Sequence, residues 1–121
     1  MLASEFKKIV EERIKKIRCT LEVKEREYAT TEDRLHNFKA AASLMRVSQE
    51  EALLGMLAKH IVSIVDMVKT PGAYPLSQWD EKLGDAINYL ILLEALLKRN
   101  LVKSLVIGPD GMTYGIKFRM T

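Results

Sequence analysis

Glu81, Asp85 and Asn88 stand four and then three residues apart, a spacing that puts side chains in one stripe along a helix. Carboxylates so placed can hold a hard cation such as Mg²⁺. That ion takes a few carboxylate oxygens and completes its shell with water and substrate phosphates. A water held there can attack a phosphoryl group whose charge the ion offsets. Tyr89 follows directly. Two other stretches carry polar chemistry: Glu32, Asp33, Arg34, His36 and Asn37 in one, and Lys59, His60, Ser63 and Asp66 in the other. If the three meet, carboxylates would face a cation, while Arg34 and Lys59 would face phosphate.

Each residue also has a plainer use. Glu32, Asp33 and Glu81 fall in first helical turns, where the helix dipole favours acids. Asp80 reads as a capping residue, His60 as a core histidine, and Lys59 as a side chain that snorkels to water. Asp85 is the hardest to explain so, being two turns inside a helix beside Ala86 and Ile87. An amide at Asn88 needs a partner if it is buried.

The elements that position these residues read as helices marked off by caps. Residues 3–27 carry Phe6, Ile9, Val10, Ile14, Ile17 and Leu21 near a helical period. Thr30 to Asp33, Ser48 to Glu51 and Ser77 to Asp80 have the spacing of capping boxes. They predict helices over 31–45, 49–69 and 77–99. The third helix has an apolar frame of Leu53, Leu57, Ile61, Ile64, Val65 and Val68, and Pro71, Gly72 and Pro75 end it. Beyond residue 100 the pattern changes. β-Branched and aromatic residues flank Gly108-Pro109-Asp110-Gly111, which predicts a hairpin of strands near 104–108 and 112–119. A lone hairpin is marginal, so it must pack on the helices or pair with another chain.

The 121 residues fit one domain, 1–121, able to bury roughly two-thirds of its unfolded surface. The formal net charge is only +3, with Lys and Arg interleaved with Glu; a nucleic-acid binder more often shows a basic block. Cys19 is the single cysteine, which excludes an internal disulfide and fits a reducing cytoplasm. The N-terminus lacks the apolar core of a signal peptide. The longest apolar run, Tyr89 to Leu93, is stopped by Glu94, so no membrane span is expected. Residues 86–97 are apolar nearly all round, which predicts a homodimer or tetramer with this helix at the interface.

The segment EKLGDAINYLILLEAL resembles the second metal-binding helix of MazG-like all-α nucleotide pyrophosphohydrolases, with Glu81, Gly84 and Asp85 matching. EYATTEDRLHNFKAAASL and EEALLGMLAKHIVSIVDM resemble small phage-encoded relatives of that superfamily. Tyr28, Glu32, Asp33, Asn37, Phe38, Lys59, Glu81, Asp85 and Tyr89 follow their order over about residues 24–98. Two departures stand out. Position 82 is Lys where the family pattern has Glu, and the helix before it carries no Glu-x-x-Glu pair. The resemblance therefore implies a MazG-like bundle of about four helices with part of a four-carboxylate Mg²⁺ site. Glu32, Asp33, Glu81 and Asp85 would be its metal ligands, and Glu81 and Asp85 its catalytic residues. Arg34, Asn37, Lys59, Asn88 and Tyr89 would contact the nucleotide.

Three readings follow. The first is a Mg²⁺-dependent, nucleotide-processing hydrolase of phage type, in the host cytoplasm. The second is a nucleotide-sequestering protein without catalysis, and the third a helical oligomer without a ligand.

Overall fold

In the computed structural model, residues 1–23, 36–101 and 105–115 are described. Helix α1 spans Ala3–Arg18 and passes into a π-helical turn, Cys19–Val23. Helices α2 (His36–Met45), α3 (Gln49–Lys69) and α4 (Leu76–Leu101) follow, then strands β1 (Leu105–Ile107) and β2 (Thr113–Gly115). The chain is mainly helical with a short antiparallel hairpin, as the sequence predicts. The expected first helix thus changes geometry at Cys19, and its last residues, 24–27, lie outside the described set, as do residues 31–35 of the second. No helix among the described residues is long and apolar enough to cross a membrane.

Helix α3 begins where its cap places it: the Ser48 hydroxyl accepts from the Glu51 N–H at 3.1 Å. It ends in a tight 3₁₀ turn, Pro71–Ala73, that reverses the chain into α4. The Trp79 indole N–H donates to the Pro71 carbonyl across this turn at 3.2 Å. At the far end Arg99 donates to Gln49 and Asn100 to Glu50, at 2.7 and 2.8 Å. These bonds clamp α3 and α4 as an antiparallel pair. Helix α2 packs against α3, and the three meet in a small core of Phe38, Leu53 and Leu96, with Met56, Tyr89, Leu92 and Leu93 around it. Leu53 and Leu96 are fully enclosed. Helix α2 closes on Arg46 in the left-handed conformation, φ 56°, with the Val47 N–H donating to the Ala42 carbonyl at 3.1 Å. This is a Schellman-type end without its usual glycine.

The start of α4 differs from the sequence reading. The helix opens at Leu76, with the Pro75 carbonyl accepting from Gln78 and Trp79, so Ser77 is not its cap. Asp80 instead reaches across to α1. Its two carboxylate oxygens accept from Arg13 at 2.5 Å and Lys16 at 2.6 Å. A distant pair of cations wins over the local capping role. The Thr30–Asp33 box lies outside the described residues.

Helix α1 buries no residue. Arg13, Ile17 and Leu21, one stripe, are partly covered, but residues 1–12 are all exposed. The Arg13 guanidinium lies over Gly84, where a Cβ would stand 2.5 Å from one of its nitrogens. Glycine at position 84 thus leaves room for the α1–α4 contact.

The hairpin pairs Leu105 with Gly115 and Ile107 with Thr113. Its turn uses Gly111 at φ 77°, which glycine adopts without strain. Asp110 accepts from the Met112 N–H at 3.0 Å and from the Tyr114 hydroxyl. The Tyr114 hydrogen bond, first, and the backbone N–H hold Asp110 below its usual pKa; the same bond raises that of Tyr114. A Cβ at Gly115 would overlap the Leu101 side chain, so this end of the hairpin rests on the last turn of α4.

Candidate functional site

The α3–α4 pairing brings His60 and Asp85 together. His60 sits on the buried stripe of α3, seven residues after Leu53 and three after Leu57, and so faces α4. Its Nδ1 lies 3.9 Å from Asp85 Oδ2. The imidazole is 23% exposed and the carboxylate 42%, so the pair sits at the edge of the core, open to solvent on the Asp85 side. Tyr89, one turn beyond Asp85, lays its ring against His60 at 4.9 Å between centroids, tilted by 36°. Phe38 from α2 meets Tyr89 edge-on at 6.2 Å. Three helices thus meet at this corner, through Phe38, His60, and Asp85 with Tyr89.

Asn88 is the unusual member. It is partly buried, and its side-chain oxygen is enclosed with no hydrogen-bond donor. A buried carbonyl without a donor costs about 1–3 kcal/mol. Such groups are rare enough to call for a reason.

The remaining expected residues distribute unevenly. Glu81 lies one turn before Asp85 and is exposed. Lys59 is exposed, about 100° round α3 from His60. Asp66 points to solvent and pairs with Lys69 of its own helix at 3.7 Å. Asn37 is on α2, but its side chain lies outside the described residues, as do Tyr28, Glu32, Asp33 and Arg34. Among the described residues no three His, Cys, Asp or Glu side chains converge as a metal cluster. The donor set at hand is Asp85 with Glu81 a turn away, which suits an ion held mostly by water and phosphate rather than by a closed cage.

The structure adds His60 to the residues that the sequence brought forward as a site. Its periodicity with Leu53 and Leu57 was the available signal, and that signal is shared by any core histidine. Asp80, five residues from Asp85, is occupied otherwise. The Lys16 hydrogen bond, first, and the Arg13 charge hold its carboxyl below the usual range.

A concavity lies where the start of α3 meets the end of α4. It is a groove of about 450 Å³ lined by Leu54, Leu93, Leu97 and Leu101, with Ser48, Glu50 and Glu51. No family model, curated protein or solved structure matches the chain, so its site is read from its own geometry.

Proposed function

We propose that the chain binds a nucleotide at the Phe38–His60–Asp85–Tyr89 corner and, with Mg²⁺, processes it as a nucleoside triphosphate pyrophosphohydrolase would. The observation that carries this reading is the approach of His60 to Asp85, with Tyr89 against the imidazole and the carboxylate open to solvent. Tyr89, partly exposed, offers aromatic surface to a base, backed by the buried Phe38. Asp85, with Glu81, is the carboxylate set for the ion; Glu32 and Asp33 would add to it from the chain before α2. Bound Mg²⁺ would offset phosphate charge and supply an activated water. His60 lies 3.9 Å from the Asp85 carboxylate, close enough to hydrogen-bond it after a small shift of either side chain. Lys59, Arg34 and Asn37 are proposed to contact the phosphates or sugar.

Sequestration without turnover is the second reading. It is favoured by one fact: among the described residues Asp85 is the one carboxylate within 4.0 Å of His60, while Glu81 stays exposed. The two readings separate in one experiment. Calorimetry and phosphate release are measured on a panel of nucleoside triphosphates with Mg²⁺. A processing enzyme turns one over, and Asp85→Asn lowers turnover at least about 100-fold with the melting temperature unchanged, because a neutral amide cannot balance the ion's charge. A sequestering protein binds without turnover and loses affinity on Lys59→Ala or Arg34→Ala rather than Asp85→Asn. A wild type silent in both assays sinks both readings and leaves the helical oligomer.

Assembly belongs to the same proposal. Leu54, Ile61, Val65 and Val68 on α3 and Leu76, Leu83 and Leu90 on α4 are all exposed. Leu54 and Leu97 share one groove, and helical spacing carries both stripes along the same side of the pair. The α2 helix covers the opposite side. A homodimer, or a dimer of dimers, that stacks this bare face on itself would bury it, as helix pairs commonly do.

A further inference from the structure

We infer that Arg13 of α1 is a ligand-contacting residue of the Glu81–Asp85 site, its guanidinium donating to a phosphate oxygen of the bound nucleoside triphosphate. The inference rests on the nucleotide reading and adds to it a cation from α1. Counted round the axis of α4 from Gly84, Asn88 lies about 40°, Glu81 about 60°, Asp85 about 100° and Tyr89 about 140° away, all in one sense. Arg13 sits at the Gly84 edge of this arc, where a Cβ would stand 2.5 Å from its Nη1. His60 sits at the other edge, its ring 4.9 Å from that of Tyr89 and its Nδ1 3.9 Å from Asp85 Oδ2. The Glu81–Asp85–Asn88 stripe therefore runs between α1 and α3, with a guanidinium on one side and an imidazole on the other.

Asp80 holds Arg13 in place without using all of it. Arg13 Nη2 donates to Asp80 Oδ1 at 2.5 Å and to the Asp80 carbonyl at 3.3 Å, whereas Nη1 is the nitrogen over Gly84. A guanidinium carries N–H donors on both terminal nitrogens, so one edge can serve Asp80 and another a ligand. Lys16 takes the second Asp80 oxygen at 2.6 Å. One carboxylate thus meets two cations, and one positive charge is left over beside the exposed Glu81. The Arg13 side chain is 21% exposed, so water screens its charge less than that of the exposed Lys59. A triphosphate laid along the stripe, its cation held by Asp85 and Glu81, would pass this guanidinium. Planar, charge-assisted donation to phosphate oxygens is the contact that arginine makes most strongly.

Gly84 allows a test that removes no polar group. Gly84→Ala puts a methyl beside Nη1 and pushes aside the far end of a flexible side chain, while alanine suits a helix interior better than glycine. The full chain is titrated by calorimetry with ATP, GTP, CTP and UTP in the presence of Mg²⁺, and amide exchange in residues 3–18 is followed for each variant. Arg13→Ala and Gly84→Ala are each expected to weaken the triphosphate that binds the wild type at least about ten-fold, the size of a lost charge-assisted hydrogen bond. Lys16→Ala also loosens the hold on α1 but leaves the guanidinium, and is expected to bind within about three-fold of the wild type. Wild-type affinity in Arg13→Ala overturns the inference and leaves the nucleotide reading standing. So does a loss confined to Arg13→Ala, since the guanidinium then acts from somewhere other than Gly84. A loss that Lys16→Ala shares, together with faster exchange in α1, overturns it as well, because the position of α1 and not its arginine then matters. A wild type that binds none of the four sinks the inference and the nucleotide reading together.

Discussion

Helices α1 and α3 are both amphipathic, yet one ends in a core and the other does not. Helix α3 encloses Leu53 completely, and Ala52, Leu57 and Met67 nearly so, against α2 and α4. Helix α1 carries Phe6, Ile9, Val10 and Ile14 at equally regular spacing and leaves all four exposed. An apolar stripe states that a surface wants cover. It does not say what supplies the cover or whether the same chain does. Helix α3 is covered because a three-residue turn returns the chain directly onto it. Helix α1 meets the body through ions instead, at Arg13, Lys16 and Asp80.

The comparison breaks most visibly by truncating each stripe. Leu96→Ala empties the shared core and should cost about 2–5 kcal/mol in urea melts of the chain. Ile9→Ala, measured at concentrations too low for association, should stay within about 0.5 kcal/mol. A large cost at Ile9 in the dilute chain would mean that α1 has a hidden partner in its own body.

Asp80→Asn sharpens the contrast at the hinge between the two regions. It should release α1 and leave the α2–α3–α4 body folded, visible as faster amide exchange in residues 3–18 alone. The loss is at most about 1 kcal/mol, because the Asp80 side chain is 38% exposed and water screens its pairs. Acid should do the same. The Asp80 pKa is held below its ordinary 3.8, chiefly by the Lys16 hydrogen bond. Its contribution is therefore whole above that value and is lost as the pH falls through the lower, folded-state pKa. If the protection factors of α1 do not fall as acid titrates Asp80 through its lowered pKa, the ions are not what holds it.

The smallest effect has the opposite sign. Arg46 takes a left-handed conformation that costs a side-chain-bearing residue roughly 1–2 kcal/mol. Arg46→Gly should stabilise the body by about 0.5–1 kcal/mol, after the extra freedom glycine gives the unfolded chain. It should not alter exchange in α1. Destabilisation would mean that the Arg46 side chain has a role its backbone does not reveal.

What could be read in the sequence follows the reach of each interaction. The bounds 49–69 were legible because Ser48 caps its own helix and Pro71 breaks it, both within a few residues. The hairpin was legible because Gly108-Pro109-Asp110-Gly111 carries its own turn. Ser77 misled, since Asp80 has its spacing but takes partners 64 and 67 residues away, and no local pattern encodes that choice. Asp85 stood out in the sequence as an acid deep in an apolar helix, and it does sit at the corner with Tyr89. His60 could be placed on a core stripe but not assigned a neighbour, because that depends on the register between two helices. The unfilled acceptor on Asn88 depends on the whole surround and was beyond sequence reading.

Trp79 gives the molecule a built-in reporter. It is the single tryptophan, hydrogen-bonded to Pro71 and edge-on to Tyr74 at 6.2 Å. Its indole therefore senses the turn that folds α3 back on α4. Intrinsic fluorescence excited at the indole should follow closure of that helical hairpin during refolding. The sole thiol, Cys19, is exposed at the other helix and accepts a dye without disturbing the core. Energy transfer from Trp79 to that dye then measures one distance, from the turn to the C-terminal end of α1. Two optical channels in the same unmutated chain can thus time the making of the body and the docking of α1 separately.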